Sequence, residues 1–160
     1  MKAILYNDDN NQFCIIFPNY NECTSDAEKE IVLQNIINKD LPKNPDGSMR
    51  QYFIKEYNEL EDRRYVKPAW KLNETNGEMY FDYNLGKEMK KNQFRQLRKS
   101  LLEKLDIEFM KAFEINNTQE LLNVATKKQV LRDITNIDMS QYQTPQDLHN
   151  FIPDVLKSTV

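Results

Sequence analysis

The stretch from Gln93 to Thr135 constrains this chain more than any other. It reads F-R-Q-L-R-K-S-L-L-E-K-L-D-I-E-F-M-K-A-F-E from Phe94, breaks at Ile115-Asn116-Asn117-Thr118, and resumes as K-K-Q-V-L-R-D-I-T from Lys127. Apolar residues recur at helical spacing with Arg and Lys between them, so each segment must set a hydrophobic stripe against a neighbour and leave a charged face outside. Such a pattern serves packing and docking. Nothing in it is arranged for making or breaking bonds.

Met89, Phe94, Leu97, Leu101 and Leu105 step by three to five residues, which predicts a long helix from about Gly86 to Leu105. A second helix is expected to open at Asp106, whose short carboxylate can cap Ile107 to Phe113. A third should start at Thr118 and end near Asp133 to Thr135. The last opens at Thr144 as N-cap, with Pro145 at the first helical position, and runs through Leu148, Phe151, Ile152, Val155 and Leu156. Pro153 lies inside that pattern and is expected to end or bend it.

Ahead of these helices the pattern is mixed. Lys2 to Tyr6 and Gln12 to Phe17 are rich in β-formers and flank the polar turn Asn7 to Asn11, which predicts a hairpin. Ser25-Asp26-Ala27-Glu28 has the form of a capping box, so a helix is expected from about Asp26 to Ile37. The Pro-, Asn-, Asp- and Gly-rich stretch Lys39 to Gly47 reads as loop, and Gln51 to Lys55 as a third strand. Asn76-Gly77 is a turn signal that would pair Glu78 to Tyr83 with the residues around Trp70 to Leu72. The expected class is therefore α+β, with a small N-terminal β-hairpin inside a β-β-α-β unit (residues 1–84) and a C-terminal bundle of about four helices (85–160).

Charge divides the chain at the same place. Residues 1–84 carry a net −5 and residues 85–160 a net +2, as expected for two structural units. With 160 residues the chain can bury a core without staples. Cys14 and Cys23 are too few for a disulfide framework, and Cys14, in Phe13-Cys14-Ile15-Ile16-Phe17, is expected to be a reduced buried thiol. No apolar run approaches the about 18 residues that span a bilayer, so no membrane partner is expected.

The search for chemistry excludes more than it finds. One histidine, His149, cannot assemble a Ser-His-Asp triad or a multi-histidine metal site, and three glycines write no phosphate-cradling loop. Asp8-Asp9 and Glu61-Asp62 read as solvated turn acids. No cofactor and no catalytic residue are assigned, and an enzyme is not expected. Lys87, Lys90, Lys91, Arg95, Arg98, Lys99 and Lys104 could neutralise phosphates, but a sequence pI near 5.3 weighs against nucleic acid as the partner.

Several short motifs carry a resemblance. Lys39-Asp40-Leu41-Pro42 follows the first helix; Leu60-Glu61-Asp62-Arg63-Arg64-Tyr65 leads to Ala69-Trp70; Arg95-x-x-Arg98 precedes Leu105 to Glu114; and Lys128-Gln129-Val130-Leu131-Arg132-Asp133-Ile134-Thr135 closes the set. In this order they resemble small tail-region proteins of tailed bacteriophages, a group described as tail or tail-fibre assembly proteins. The segments Lys43 to Arg50 and Glu78 to Tyr83 depart from that pattern.

The resemblance implies a non-enzymatic phage protein that binds a tail or tail-fibre protein as chaperone or adaptor, in the host cytoplasm during assembly or retained in the virion tail. A phage-encoded inhibitor of a host protein or nucleic acid is the alternative. Arg95 and Arg98 are expected to meet Asp106 or Asp133, with Arg132 closing the network. Trp70 is expected to plug the core between the N-terminal unit and the helices, or else to anchor a partner. The partner-binding candidates are the aromatics Tyr65 and Trp70, read as exposed, and the basic face at Arg95 and Arg98. The long amphipathic helix would also allow a homo-oligomer.

Overall fold

A computed structural model of the chain describes residues 1–58, 60 and 65–159. The fold is α+β, antiparallel strands followed by helices, and the chain divides into two compact units, Met1–Asp82 and Tyr83–Val160.

In the first unit, β1 (Lys2–Asn7) lies between β2 (Phe13–Ile16) and β3 (Phe53–Glu56) in an antiparallel sheet. The register sets Leu5 opposite Ile15 on one side and opposite Phe53 on the other. Side chains of a strand alternate faces, and here both faces are covered. Ala3 and Leu5 pack with Leu60 and Leu72, whereas Ile4 packs with Leu33, Ile37 and Leu41. A central strand buried on both faces needs an unbroken apolar run, which is what Ala3-Ile4-Leu5 supplies.

Helix α1 (Asp26–Lys39) provides Leu33 and Ile37 to that core and starts at the expected capping box. The Glu28 amide donates to the Ser25 hydroxyl, while the Glu28 carboxylate accepts from the backbone of Thr24 and Ser25 and from the Thr24 hydroxyl. These donors hold the Glu28 carboxyl below its ordinary range. A second, two-stranded sheet joins β4 (Trp70–Leu72) to β5 (Met79–Phe81), with Leu72 opposite Met79. Its turn carries Gly77 at φ +70°, and a Cβ there would lie 2.3 Å from the Phe53 ring.

The second unit is helical. Helix α2 runs without interruption from Tyr83 to Glu114, 32 residues or about 48 Å, where two helices meeting at Asp106 were expected. Between Gly86 and Glu114 there is no proline and no further glycine to stop it, and Asp106 sits inside the helix rather than at a cap. Its carboxylate instead pairs with Lys128 at 2.5 Å, a contact across helices that outweighs the few tenths of a kcal/mol by which Asp disfavours a helix interior. At the far end Asn116 adopts φ 53° and the Asn117 amide donates to the Ala112 carbonyl at 2.9 Å. Asn is among the few side chains that take this left-handed conformation readily.

Helix α3 (Thr118–Asp133), capped by the Asn117 side chain, folds back along α2, so that Arg98 lies beside Leu131 and Asp106 beside Lys128. A short helix α4 (Pro145–Asn150) begins at Thr144, whose hydroxyl accepts from the Asp147 amide. It ends before Pro153, and a 3-10 turn, Asp154–Thr159, follows. This last segment steps along α2. The Tyr83 hydroxyl donates to the Gln143 carbonyl, the Lys90 ammonium to that of His149, and Phe94 meets Phe151 edge-on with ring centres 5.7 Å apart.

Two smaller expectations are corrected. Strand β3 lies one to two residues further on than Gln51–Lys55. Cys14 is half-buried in β2 rather than enclosed, because β2 is an edge strand.

Candidate interaction surface

Tyr65 and Trp70 are half-buried, not exposed. Val66 takes φ 48° and starts the turn Lys67–Ala69, which folds the chain back far enough for the Trp70 indole to donate to the Tyr65 carbonyl at 3.1 Å. Phe81 meets the indole edge-on, with ring centres 5.4 Å apart. The rest of the ring, with Phe13, Ile15 and Lys67, lines a shallow groove of about 190 Å³. Trp70 thus keeps one open side while a hydrogen bond fixes its orientation. Within the resemblance motif ahead of it, Leu60 is buried, and Glu61 to Arg64 lie outside the described residues.

The basic face is divided among different tasks. Arg95 is exposed and its Nη1 donates to the Asn92 side chain one turn back. Arg98 is half-buried and its Nη1 donates to the carbonyls of Leu131 at 3.0 Å and Arg132 at 2.7 Å. These belong to the last turn of α3, where carbonyls lack helical partners and the helix dipole is negative. The expected Arg–Asp network is therefore absent among the described residues. Asp106 takes Lys128 and Asp133 takes Gln129, because the end of α3 offers Arg98 bare carbonyls at the position where its guanidinium lies. Lys90 is 4% exposed, with its ammonium on the His149 carbonyl and near the Phe94 ring, and burial lowers its pKa.

Titratable groups do converge at one place, a cleft of about 290 Å³ lined by Lys2, Tyr20, Asp26, Lys29, Glu30 and Glu56. They are engaged with one another. Lys29 pairs with Asp26 at 2.8 Å and Lys2 with Glu30 at 3.0 Å, and these cations hold both carboxyls below their ordinary range. The Tyr20 hydroxyl donates to the Lys2 carbonyl, and burial pushes its pKa up. This arrangement ties the unit together. Among the described residues no group of three or more His, Cys, Asp or Glu could hold a metal ion, and no helix is long and apolar enough to cross a membrane.

The surface that sequence reasoning missed is apolar and lies on the α2–α3 hairpin. Ile107, Met110 and Phe113 are each more than half exposed and follow one another at three-residue steps, so they are neighbours on the helix. Ile115 and Leu122 are exposed as well. Elsewhere along the hairpin, Leu101, Leu105, Val130 and Leu131, with Val155 from the C-terminal 3-10 turn, line a groove of about 360 Å³ flanked by Lys104, Lys127 and Glu108. The spacing was a usable signal, since Phe94, Leu105 and Ala112 define the buried stripe of α2 and Ile107, Met110 and Phe113 fall off it.

No protein-family model matches the chain, and no curated protein or solved structure matches it significantly.

Proposed function

We propose that the protein is a non-catalytic binding module that acts in assembly of a phage tail or tail fibre, holding another structural protein of the phage as chaperone or adaptor. One observation carries the binding part. Five large apolar side chains, Ile107, Met110, Phe113, Ile115 and Leu122, stand exposed on one helical hairpin. Single exposed apolar residues need no explanation, but a run of them on adjacent turns favours a surface that a partner covers. The phage part rests on the resemblance of the short motifs from Lys39 to Thr135. On this reading the protein acts in the host cytoplasm while tails are built.

Co-expression and pull-down with the tail and tail-fibre proteins of the same phage tests the proposal. A stable complex that Met110→Asp/Phe113→Asp disrupts, with the helical circular dichroism unchanged, is the expected result. Absence of binding to every structural protein would end the assembly reading and turn the search to a host factor.

A further inference from the structure

We infer that the groove between α2 and α3 receives an amphipathic helix of the partner protein, one that carries acidic residues beside its apolar stripe. The inference rests on the binding-module reading and adds to it a second contact site with a stated ligand chemistry.

The groove has the form of a helix seat. Its α2 bank is Leu101, Lys104, Leu105 and Glu108, at i, i+3, i+4 and i+7, and its α3 bank includes Lys127, Val130 and Leu131. That spacing is one face of each helix, so the pair presents two parallel ridges with an apolar floor, the geometry that a third helix fills. The chain already uses the adjoining part of this seat. The segment from Gln143 to Leu156 steps along α2 from Tyr83 past Lys90 and Phe94 to Leu101, with Leu148 and Leu156 buried. The groove continues that covered stripe from Leu101 toward Glu108. Leu101 is half-buried and Val130 is 51% exposed.

Charge selects the occupant. Lys104 on one bank and Lys127 on the other are exposed, and neither has a carboxylate at salt-bridge distance among the described residues. Among the described residues Glu108 is the single acid lining the groove. An incoming helix with Glu or Asp flanking its apolar stripe would meet a cation on each side, and a basic helix would meet two like charges. A helix in a groove is a recurrent recognition mode in which apolar anchors give affinity and flanking charges set orientation.

The test uses the whole chain and two synthetic helices of about 14 residues, or three to four turns. Both carry one Leu stripe; the first is flanked by Glu and the second has Lys at every Glu position. Fluorescence anisotropy should show the Glu helix bound at least about tenfold more tightly than the Lys helix. Val130→Asp should remove that binding, and Lys104→Glu/Lys127→Glu should reverse the preference. Amide shifts on binding should map to Leu101–Glu108 and Thr126–Leu131.

Equal binding of both helices, binding that Val130→Asp leaves intact, no binding of either, or shifts mapping elsewhere would each overturn the inference. So would a concentration-dependent dimer abolished by Val130→Asp, which would make a second copy the occupant. The two readings separate in the pull-down. A phage partner retained by Val130→Asp but lost with Met110→Asp/Phe113→Asp keeps the binding module and removes the groove, whereas no phage partner at all removes the assembly reading itself.

Discussion

Nη1 of Arg50 donates to the carbonyl oxygen of Asn7 at 2.7 Å, joining two residues 43 apart in the chain. The same guanidinium reaches the carbonyls of Pro42 and Lys43 at 3.2 Å each and the Asp9 carboxylate. One side chain, 7% exposed, thus ties the β1–β2 turn to the loop that returns from α1. Most of its work is done on neutral carbonyls in fixed positions, which a planar fork with five donors can reach together and an ammonium cannot.

Arg50→Lys should therefore be nearly as harmful as Arg50→Ala. Both are expected to lower the melting temperature by roughly 5–10 °C, measured by circular dichroism, while Asp9→Asn changes it little because Asp9 is exposed. A mild Arg50→Lys would show that charge rather than geometry matters at this position.

Arg98→Ala should cost about 2 kcal/mol, since it removes two charge-assisted hydrogen bonds from the last turn of α3. Arg95→Ala, one turn away and bonded to the Asn92 side chain, should stay within about 0.5 kcal/mol. Denaturant unfolding of the two variants side by side measures both. Equal costs would mean that Arg98 does not hold the end of α3.

Gly77→Ala meets two obstacles together, a left-handed backbone that L side chains rarely adopt and the Phe53 ring 2.3 Å from the new Cβ. A loss of at least about 2 kcal/mol is expected. Gly77→Ala/Phe53→Leu should recover only the steric part, and chemical denaturation of the single and double variants separates the two terms.

Lys90 predicts a pH dependence. Burial lowers its folded-state pKa, so the unfolded chain binds that proton more tightly. The penalty is full below the folded pKa and is relieved as pH rises from there toward the ordinary lysine value of about 10.4. Lys90→Met lacks this titration. Between about pH 7 and about pH 10 the native chain should gain stability relative to Lys90→Met, followed as the difference in urea midpoint. A difference that stays constant with pH would mean that Lys90 is no harder to charge in the fold than out of it.

Much of the fold could be read locally. Ser25 with Glu28, Thr144 with Pro145, and Asn76-Gly77 each carry their own instruction, because a cap or a left-handed turn is settled within four residues. Helix α2 could not be read that way. Asp106 is a good cap in isolation, yet in the fold it lies inside α2 with its carboxylate on Lys128, which the return of α3 brings close. Arg98 and Lys90 belong to one basic run in the sequence, yet their fates are set by carbonyls 33 and 59 residues distant. Tyr65 and Trp70 could be singled out as aromatic but not as half-buried, since that depends on Phe81 and a backbone reversal at Val66. The apolar groove was hidden for a related reason. Leu101 and Leu105 read as core, and nothing local says that they line an open groove beside Val130 and Val155.

The sandwiching of β1 also sets the order in which the N-terminal unit can be completed during synthesis. β1 is made before everything that covers it, and its Asn7 amide binds the Glu74 side chain, 67 residues later. Until α1, β3 and Leu72 have left the ribosome, Ala3, Ile4 and Leu5 form an apolar strand with open faces, the kind of segment that pairs with other chains when left waiting. Locking therefore comes at once and late, so a chain truncated before Leu72 should be a substrate for chaperones and proteases rather than a smaller folded protein.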